Sequence, residues 1–291
     1  MYAYTQKYIV HADQKHTAIG HFNISNLEGL KAIFSVAKKM DVPVIIGTSE
    51  NEREWIGVKQ CVALVRSLRE EFNYPIFLNA DHTYSFERVK EAIDAGYDSV
   101  IFDGAKLSLG DNIEETKKCV DYARSINPEI VVEGELGYIG SSSKMLETIP
   151  DDVQTSLLNL TKPEDAERFV KETGVDFLAP AVGNIHGMLK HGKDPDLDIE
   201  RIKAIRERSG VPLVLHGGSG NTDHDFRRAI VNGVAVIHIN TEIRRAFRTA
   251  LESFLKNNPD EIAPYRLMEN AVYEMEKVVE EKLKVFTVHA G

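Results

Sequence analysis

The chain has 291 residues, 43% apolar and 27% charged, which is enough to bury a large core and excludes a disordered chain. Thirty-five Lys and Arg against 45 Asp and Glu leave a net charge of -10, so phosphate backbones are not attracted and no nucleic-acid partner is expected. No apolar run approaches the roughly 20 residues of a membrane span, and the opening MYAYTQKYIVHADQ lacks the apolar stretch of a secretory signal, so a cytoplasmic protein without a membrane partner is expected. In chain order, a β-rich run at 17–24 precedes a helical period at 26–40, and 43–49 precedes 57–72. The runs 75–82, 99–105 and 129–137 lead to helices at 85–96, 112–126 and 162–174. The runs 176–183 and 212–220 lead to helices at 198–210 and 223–233, and the eighth run, 234–242, leads into a helix over 242–258. A last helix covers 265–286 after Pro264. Several helices start at Asn, Ser, Thr or Asp and stop at Gly, as capping chemistry requires.

Eight strand–helix units in this length favour a single-domain (β/α)₈ TIM barrel over 1–291, with extra C-terminal helices, over an open doubly wound sheet. The two C-terminal helices are expected to close the barrel wall and to offer an oligomer contact. Cys61 and Cys119 fall in amphipathic helices and read as packed thiols.

Barrel enzymes carry their chemistry at the C-terminal ends of the strands. Those ends hold Asn23, Asp81, His82, Asp103, Glu133, Glu135, Asn184, His186, His216, His238 and Asn240, where a purely structural barrel would place apolar or small residues. His82, His186 and His216 supply the three ligands of a catalytic zinc with one position open. Asp103 and Glu135 are expected as partners that orient the imidazoles or as alternate ligands. HGGSG at 216–220 ends a strand and is expected to open a helix, so that Gly217, Gly218 and Ser219 present donors to a phosphate, with Asn240 and Thr241 of the next loop alongside.

The strings HFNISN (21–26), NADH (79–82), FDGA (102–105), EGELG (133–137), ETGVDFLAPAVGNIHGMLK (172–190), VPLVLHGGSG (211–220) and INTE (239–242) together resemble the class II, zinc-dependent ketose-bisphosphate aldolases, over nearly the whole chain. The resemblance implies that His82, His186 and His216 hold Zn²⁺ and that Asp81 is the acid and base at the aldehyde oxygen. It also implies that Asn23, Gly187, Lys190, Gly217, Ser219 and Thr241 surround the ketose phosphate, and that a monovalent cation, Na⁺ or K⁺, lies nearby. Zinc would serve as the electron sink that carbon–carbon cleavage beside a ketone needs, with no Schiff-base lysine. The expected reaction is cleavage of a ketose 1,6-bisphosphate, fructose 1,6-bisphosphate first, to dihydroxyacetone phosphate and glyceraldehyde 3-phosphate. The alternatives are a zinc lyase acting on tagatose bisphosphate or another ketose phosphate, and a non-catalytic sugar-phosphate-binding barrel. A homodimer or homotetramer is expected.

Two departures stand out. The family's acidic pair in the loop after the fifth strand is replaced by Ser142, Ser143 and Lys144, which leaves Glu147 as the nearest carboxylate for proton transfer at the donor carbon. Position 238, where the family tends to have Asn, is His238, the competing base. The 138–152 loop is expected to act as a lid.

Overall fold

The computed structural model describes residues 5–141 and 143–287. Its elements are α1 (Thr5–Gln14), β1 (Ile19–Asn23), α2 (Leu27–Met40), β2 (Val44–Thr48), α3 (Glu50–Ile56), α4 (Val58–Phe72), β3 (Ile76–Thr83), α5 (Phe86–Ala95), β4 (Ser99–Phe102), α6 (Leu109–Ile126) and β5 (Val131–Leu136). There follow β6 (Met145–Leu146), α7 (Asp151–Leu157), α8 (Pro163–Thr173), β7 (Phe177–Pro180), β8 (Met188–Leu189), α9 (Ile199–Ser209), β9 (Leu213–Leu215), α10 (Asp223–Val231), β10 (Val234–Ile239), α11 (Thr241–Asn257) and α12 (Pro264–Thr287). Eight parallel strands close in the order β1-β10-β9-β7-β5-β4-β3-β2, the expected (β/α)₈ barrel.

Side chains alternate across each strand, and the alternation divides the core in two. Phe22, Ile46, Leu78, Phe102, Leu178 and Ile237 point outward into the helix layer. Ile19, Ile45, Phe77, Val131, Phe177, Val214 and Val236 point inward and fill the lower barrel. Ile9 and Ala12 of α1 pack against this inner cluster, so a helix not expected from the sequence plugs the N-terminal end. Above the apolar layer the same inward parity brings His21, Asn23, Asn79, Asp81, Glu133, Glu135, His216 and His238 to the C-terminal mouth.

Local sequence sets the helix ends. Asn26, Ser85, Ser108 and Asp198 accept backbone N–H groups at the starts of α2, α5, α6 and α9. Thr222 and Asp225 form a reciprocal capping box that starts α10 at Asp223. HGGSG therefore does not open a helix directly, because Asn221 and Thr222 intervene. The last helix, α12, buries Ala271, Met275, Val279, Leu283 and Phe286 and completes the wall against α2 and α11. Cys61 and Cys119 are buried free thiols. No described helix is long and apolar enough to cross a membrane.

Two features reshape the mouth beyond the sequence reading. The helix α3 occupies a stretch that carried no helical period, and its capping box pairs Ser49 with Glu52. The 138–152 loop is zipped onto the loop after β7 by the parallel pair β6–β8, in which Met145 faces Met188 and Leu146 faces Leu189. Ser142 lies outside the described residues.

Candidate active site

His82 reaches the mouth by a backbone device. Residues 77, 79 and 81 point into the barrel, so regular alternation would turn residue 82 outward. The β3–β4 register shifts between Ala80 and Thr83, and His82 takes φ 40°, a left-handed conformation costly for a residue with a Cβ. Asp81 and His82 thereby both face the pocket, although they are chain neighbours. Arg53, fully buried, clamps the turn: its guanidinium donates to the carbonyls of Thr48 (2.9 Å) and Asp81 (3.1 Å) and to Thr83 Oγ1 (2.9 Å).

The three histidines converge. His82 Nε2 and His216 Nδ1 stand 3.1 Å apart, and one nitrogen from each of His82, His186 and His216 lies within 4.8 Å of the others. The opposite nitrogen of each ring is engaged: His82 Nδ1 with Asp103 Oδ2 at 2.9 Å, His186 Nδ1 with the Gly140 carbonyl at 2.7 Å, and His216 Nε2 with Glu133 Oε1 at 2.8 Å. An acceptor on one nitrogen fixes the N–H there and leaves a lone pair on the other, the arrangement found around metal-ligating histidines. Glu135 Oε2 lies 3.2 Å from His82 Nδ1 and 3.6 Å from His216 Nδ1, buried and with no hydrogen-bond partner. The residues therefore fit a divalent cation with imidazole preference, with His82, His186 and His216 as the nitrogen donors and Glu135 and Asp103 at their side. Glu133, outside the residues expected to touch the metal, is the partner of His216; the signal was its inward parity with Glu135.

The charges agree. Burial is the largest influence on Asp81 and opposes its ionisation, yet the adjacent His82 and His238 prevail and hold its carboxyl well below the usual carboxylate range. Burial and the neighbouring Asp103 push Glu135 up to about 7. Burial, with His82 alongside, lowers His186 to about 4, and burial with the stacked His21 lowers His238 to about 3. Burial also keeps His216 low, with His238 and His82 adding to it. His82 alone runs the other way: burial opposes its protonation, but Asp81 and Glu135 outweigh that and raise it. The carboxylates around it demand positive charge at this point.

Asp81 is held from two sides. Asn23 Nδ2 donates to its Oδ2 at 2.8 Å, and His238 Nδ1 lies 3.4 Å from Oδ1, which has no hydrogen-bond partner. His238 lies between two other imidazoles, stacked on His21 at 3.4 Å and on His216 at 4.0 Å. His21 was missed by the sequence reading, although it shares the inward face with Asn23 two residues on. Its ring is seated by Asn79 Oδ1 at 3.1 Å and by Gly47, where a Cβ would stand 2.1 Å from His21 Cε1.

The anion cradle is narrower than expected. Gly217, Ser219, Gly187, Asn240 and Thr241 line the pocket, whereas the Gly218 amide is spent on the His238 carbonyl at 3.0 Å. A Cβ at Gly217 (φ 60°) would stand 2.2 Å from the Ile185 carbonyl oxygen, so glycine is required there. The helix terminus aimed at the pocket is that of α11, which starts at Thr241, rather than that of α10. Asn240 donates to Ser143 Oγ at 3.3 Å. Lys190 and Glu147 are not brought into the pocket; they form an exposed ion pair with each other on the β6–β8 ribbon, because the parallel pairing places residues 147 and 190 side by side. Arg244, also missed, is the only Lys or Arg among the described residues that lines the pocket.

Polar groups gathered at the C-terminal ends of eight parallel strands mark a barrel enzyme. Residues 3–290 match the model of the family described as fructose-bisphosphate aldolase class-II. The chain is 37% identical over 254 residues to a fructose-bisphosphate aldolase of Geobacillus stearothermophilus, covering 86% of this chain and 85% of that protein. It is 34% identical over 281 residues to one of Staphylococcus aureus, covering 96% and 94%. Among solved structures it superposes on the YdjI aldolase from Escherichia coli K12 with a TM-score of 0.81 and 30% identity, over 100% of this chain and 99% of that one. The chain belongs to the class II fructose-bisphosphate aldolase family and is an aldolase, a carbon–carbon lyase.

Proposed function

We propose that this aldolase cleaves a ketose 1,6-bisphosphate, fructose 1,6-bisphosphate first among them, with Zn²⁺ held by His82, His186 and His216. The observation that carries the reading is the trio of converging imidazole nitrogens, each with its opposite nitrogen tied to an acceptor. When bound, the ion supplies Lewis-acid polarisation beside the donor carbonyl. Asp81, with Oδ2 fixed by Asn23 and Oδ1 facing His238 Nδ1 at 3.4 Å, exchanges a proton with the C4 oxygen. Gly217, Ser219 and Thr241 receive the donor-side phosphate at the N-terminus of α11. Arg244 is the pocket's cation for the second phosphate. Glu147 reaches the donor carbon only if the ribbon pair with Lys190 opens, whereas His238 already lines the pocket. A monovalent cation beside the donor phosphate, a cytoplasmic location and a homodimer or homotetramer are part of the same reading.

A coupled cleavage assay on fructose, tagatose and other ketose phosphates, with metal analysis before and after chelation, tests it. One zinc per chain, loss of cleavage on chelation and recovery with Zn²⁺ or Co²⁺ are expected. Binding of ketose phosphates without cleavage of any would favour the sugar-phosphate-binding barrel.

A further inference from the structure

Glu52 lies behind the pocket wall, 4% exposed, in the capping box of α3. A capping box asks of its glutamate only the bond from the Ser49 backbone N–H, here at 2.8 Å, to which the Ser49 hydroxyl adds a second at 2.9 Å. Three further donors converge on the same carboxylate: Asn23 Nδ2 at 2.9 Å, Ser25 Oγ at 3.2 Å and Arg244 Nη2. Burying a carboxylate is costly unless its lone pairs are filled, and here five donors from three segments fill them. Two of those donors belong to groups that face the pocket. The Asn23 amide spends one hydrogen on Glu52 and the other on Asp81 Oδ2 at 2.8 Å. Arg244 lines the pocket with the remainder of its guanidinium, its side chain 43% exposed.

We propose that Glu52 is a positioning residue that fixes the acceptor-side Arg244 guanidinium and, through Asn23, the carboxylate of Asp81. The proposal rests on the aldolase reading above. Glu52 touches no substrate atom; it removes the rotamer freedom of two groups that do. It thereby links recognition of the far phosphate to the orientation of the proton-transfer group through a single buried anion.

The test compares wild type, Glu52→Gln, Arg244→Ala and the double variant on a ketose 1,6-bisphosphate and on the matching 1-phosphate, which lacks the group that Arg244 meets. Arg244→Ala is expected to raise KM for the bisphosphate about tenfold, the size of one charge-assisted hydrogen bond, and to spare the 1-phosphate. Glu52→Gln is expected to raise the same KM and also to lower kcat roughly tenfold on both substrates, as a misplaced proton-transfer group does. In the Arg244→Ala background, Glu52→Gln should add no further KM increase while keeping its full kcat loss. Additive KM effects, or an unchanged kcat on both sugars, would overturn the proposal. Should Glu52→Gln fail to fold, Glu52→Asp, which withdraws the carboxylate by one methylene, must show the same split. If wild type cleaves neither sugar, the proposed ketose 1,6-bisphosphate substrate fails instead, and crystal structures decide about Glu52: displacement of both Arg244 and the Asn23 amide in Glu52→Gln supports its role, and unmoved side chains refute it.

Discussion

Arg53→Met isolates the cost of holding His82 in its left-handed conformation. The guanidinium is fully buried, and its nearest carboxylate oxygen, on Glu50, is 3.8 Å away, so the cation is retained without a close ion partner. Its bonds go instead to the carbonyls of Thr48 and Asp81 and to the Thr83 hydroxyl, the atoms that frame the turn. Methionine keeps most of the length and donates nothing. Two orphaned buried carbonyls cost about 1–3 kcal/mol each. Together they make about 2–6 kcal/mol, and relief of burying the guanidinium offsets several kcal/mol, so the net global change should lie within about 3 kcal/mol of zero. The local loss is different in kind. Left-handed backbone at a non-glycine residue costs about 1–3 kcal/mol and persists only where its surroundings impose it. Without the clamp the turn relaxes, His82 rotates away from His186 and His216, and zinc affinity falls about 10- to 100-fold. Competition titration against a chelator measures the affinity, and urea unfolding of the metal-free protein measures the global term. Wild-type zinc affinity in a folded Arg53→Met variant would refute the clamp.

Three further outcomes are expected. Asp81→Asn should keep its zinc and lose at least about 10²-fold in kcat, the lower range for a general acid or base; loss of zinc in metal analysis would make Asp81 a ligand instead. Ser219→Ala should raise KM for phosphorylated ketoses in steady-state kinetics, and an equal effect on a dephosphorylated analogue would reduce the loop to a structural turn. Solvent hydrogen exchange into dihydroxyacetone phosphate separates the two candidate donor-carbon bases: His238→Asn should abolish it and Glu147→Gln, whose carboxylate is held on Lys190 outside the pocket, should preserve it, and the reverse pattern would assign the step to Glu147.

The barrel was legible because eight β-rich runs separated by capped helical periods admit few other architectures. Much of the mouth was legible for the same reason. Strand alternation sends residues two apart to one side, so Asn23, Asp81, Glu133, Glu135, His216 and His238 could be placed at the strand ends from their spacing, and His21 was available by the same rule. Residue types did the rest, since buried imidazoles and carboxylates at such points have no use in a core.

What tertiary structure decided lies where alternation stops. Parity alone turns His82 toward the helices; the register shift against β4 and the buried Arg53 turn it back. Glu52 and Arg53 fall in a stretch whose polar residues have no amphipathic period; the Ser49–Glu52 capping box is local, but what the two side chains hold is set by contacts with Asn23, Asp81 and Arg244, distant in the chain. Glu147 was expected near the donor carbon by proximity in sequence, but pairing of β6 with β8 sets it on Lys190. HGGSG promised a row of free amides, and the closure of the barrel against β10 takes that of Gly218. Local sequence determines which way a strand residue faces and where a helix begins, because those depend on neighbours in the chain. The aim of a side chain at the mouth depends on groups 30 to 192 residues away, as with Arg53 and Thr83 or Arg244 and Glu52, and those meet only when the barrel closes.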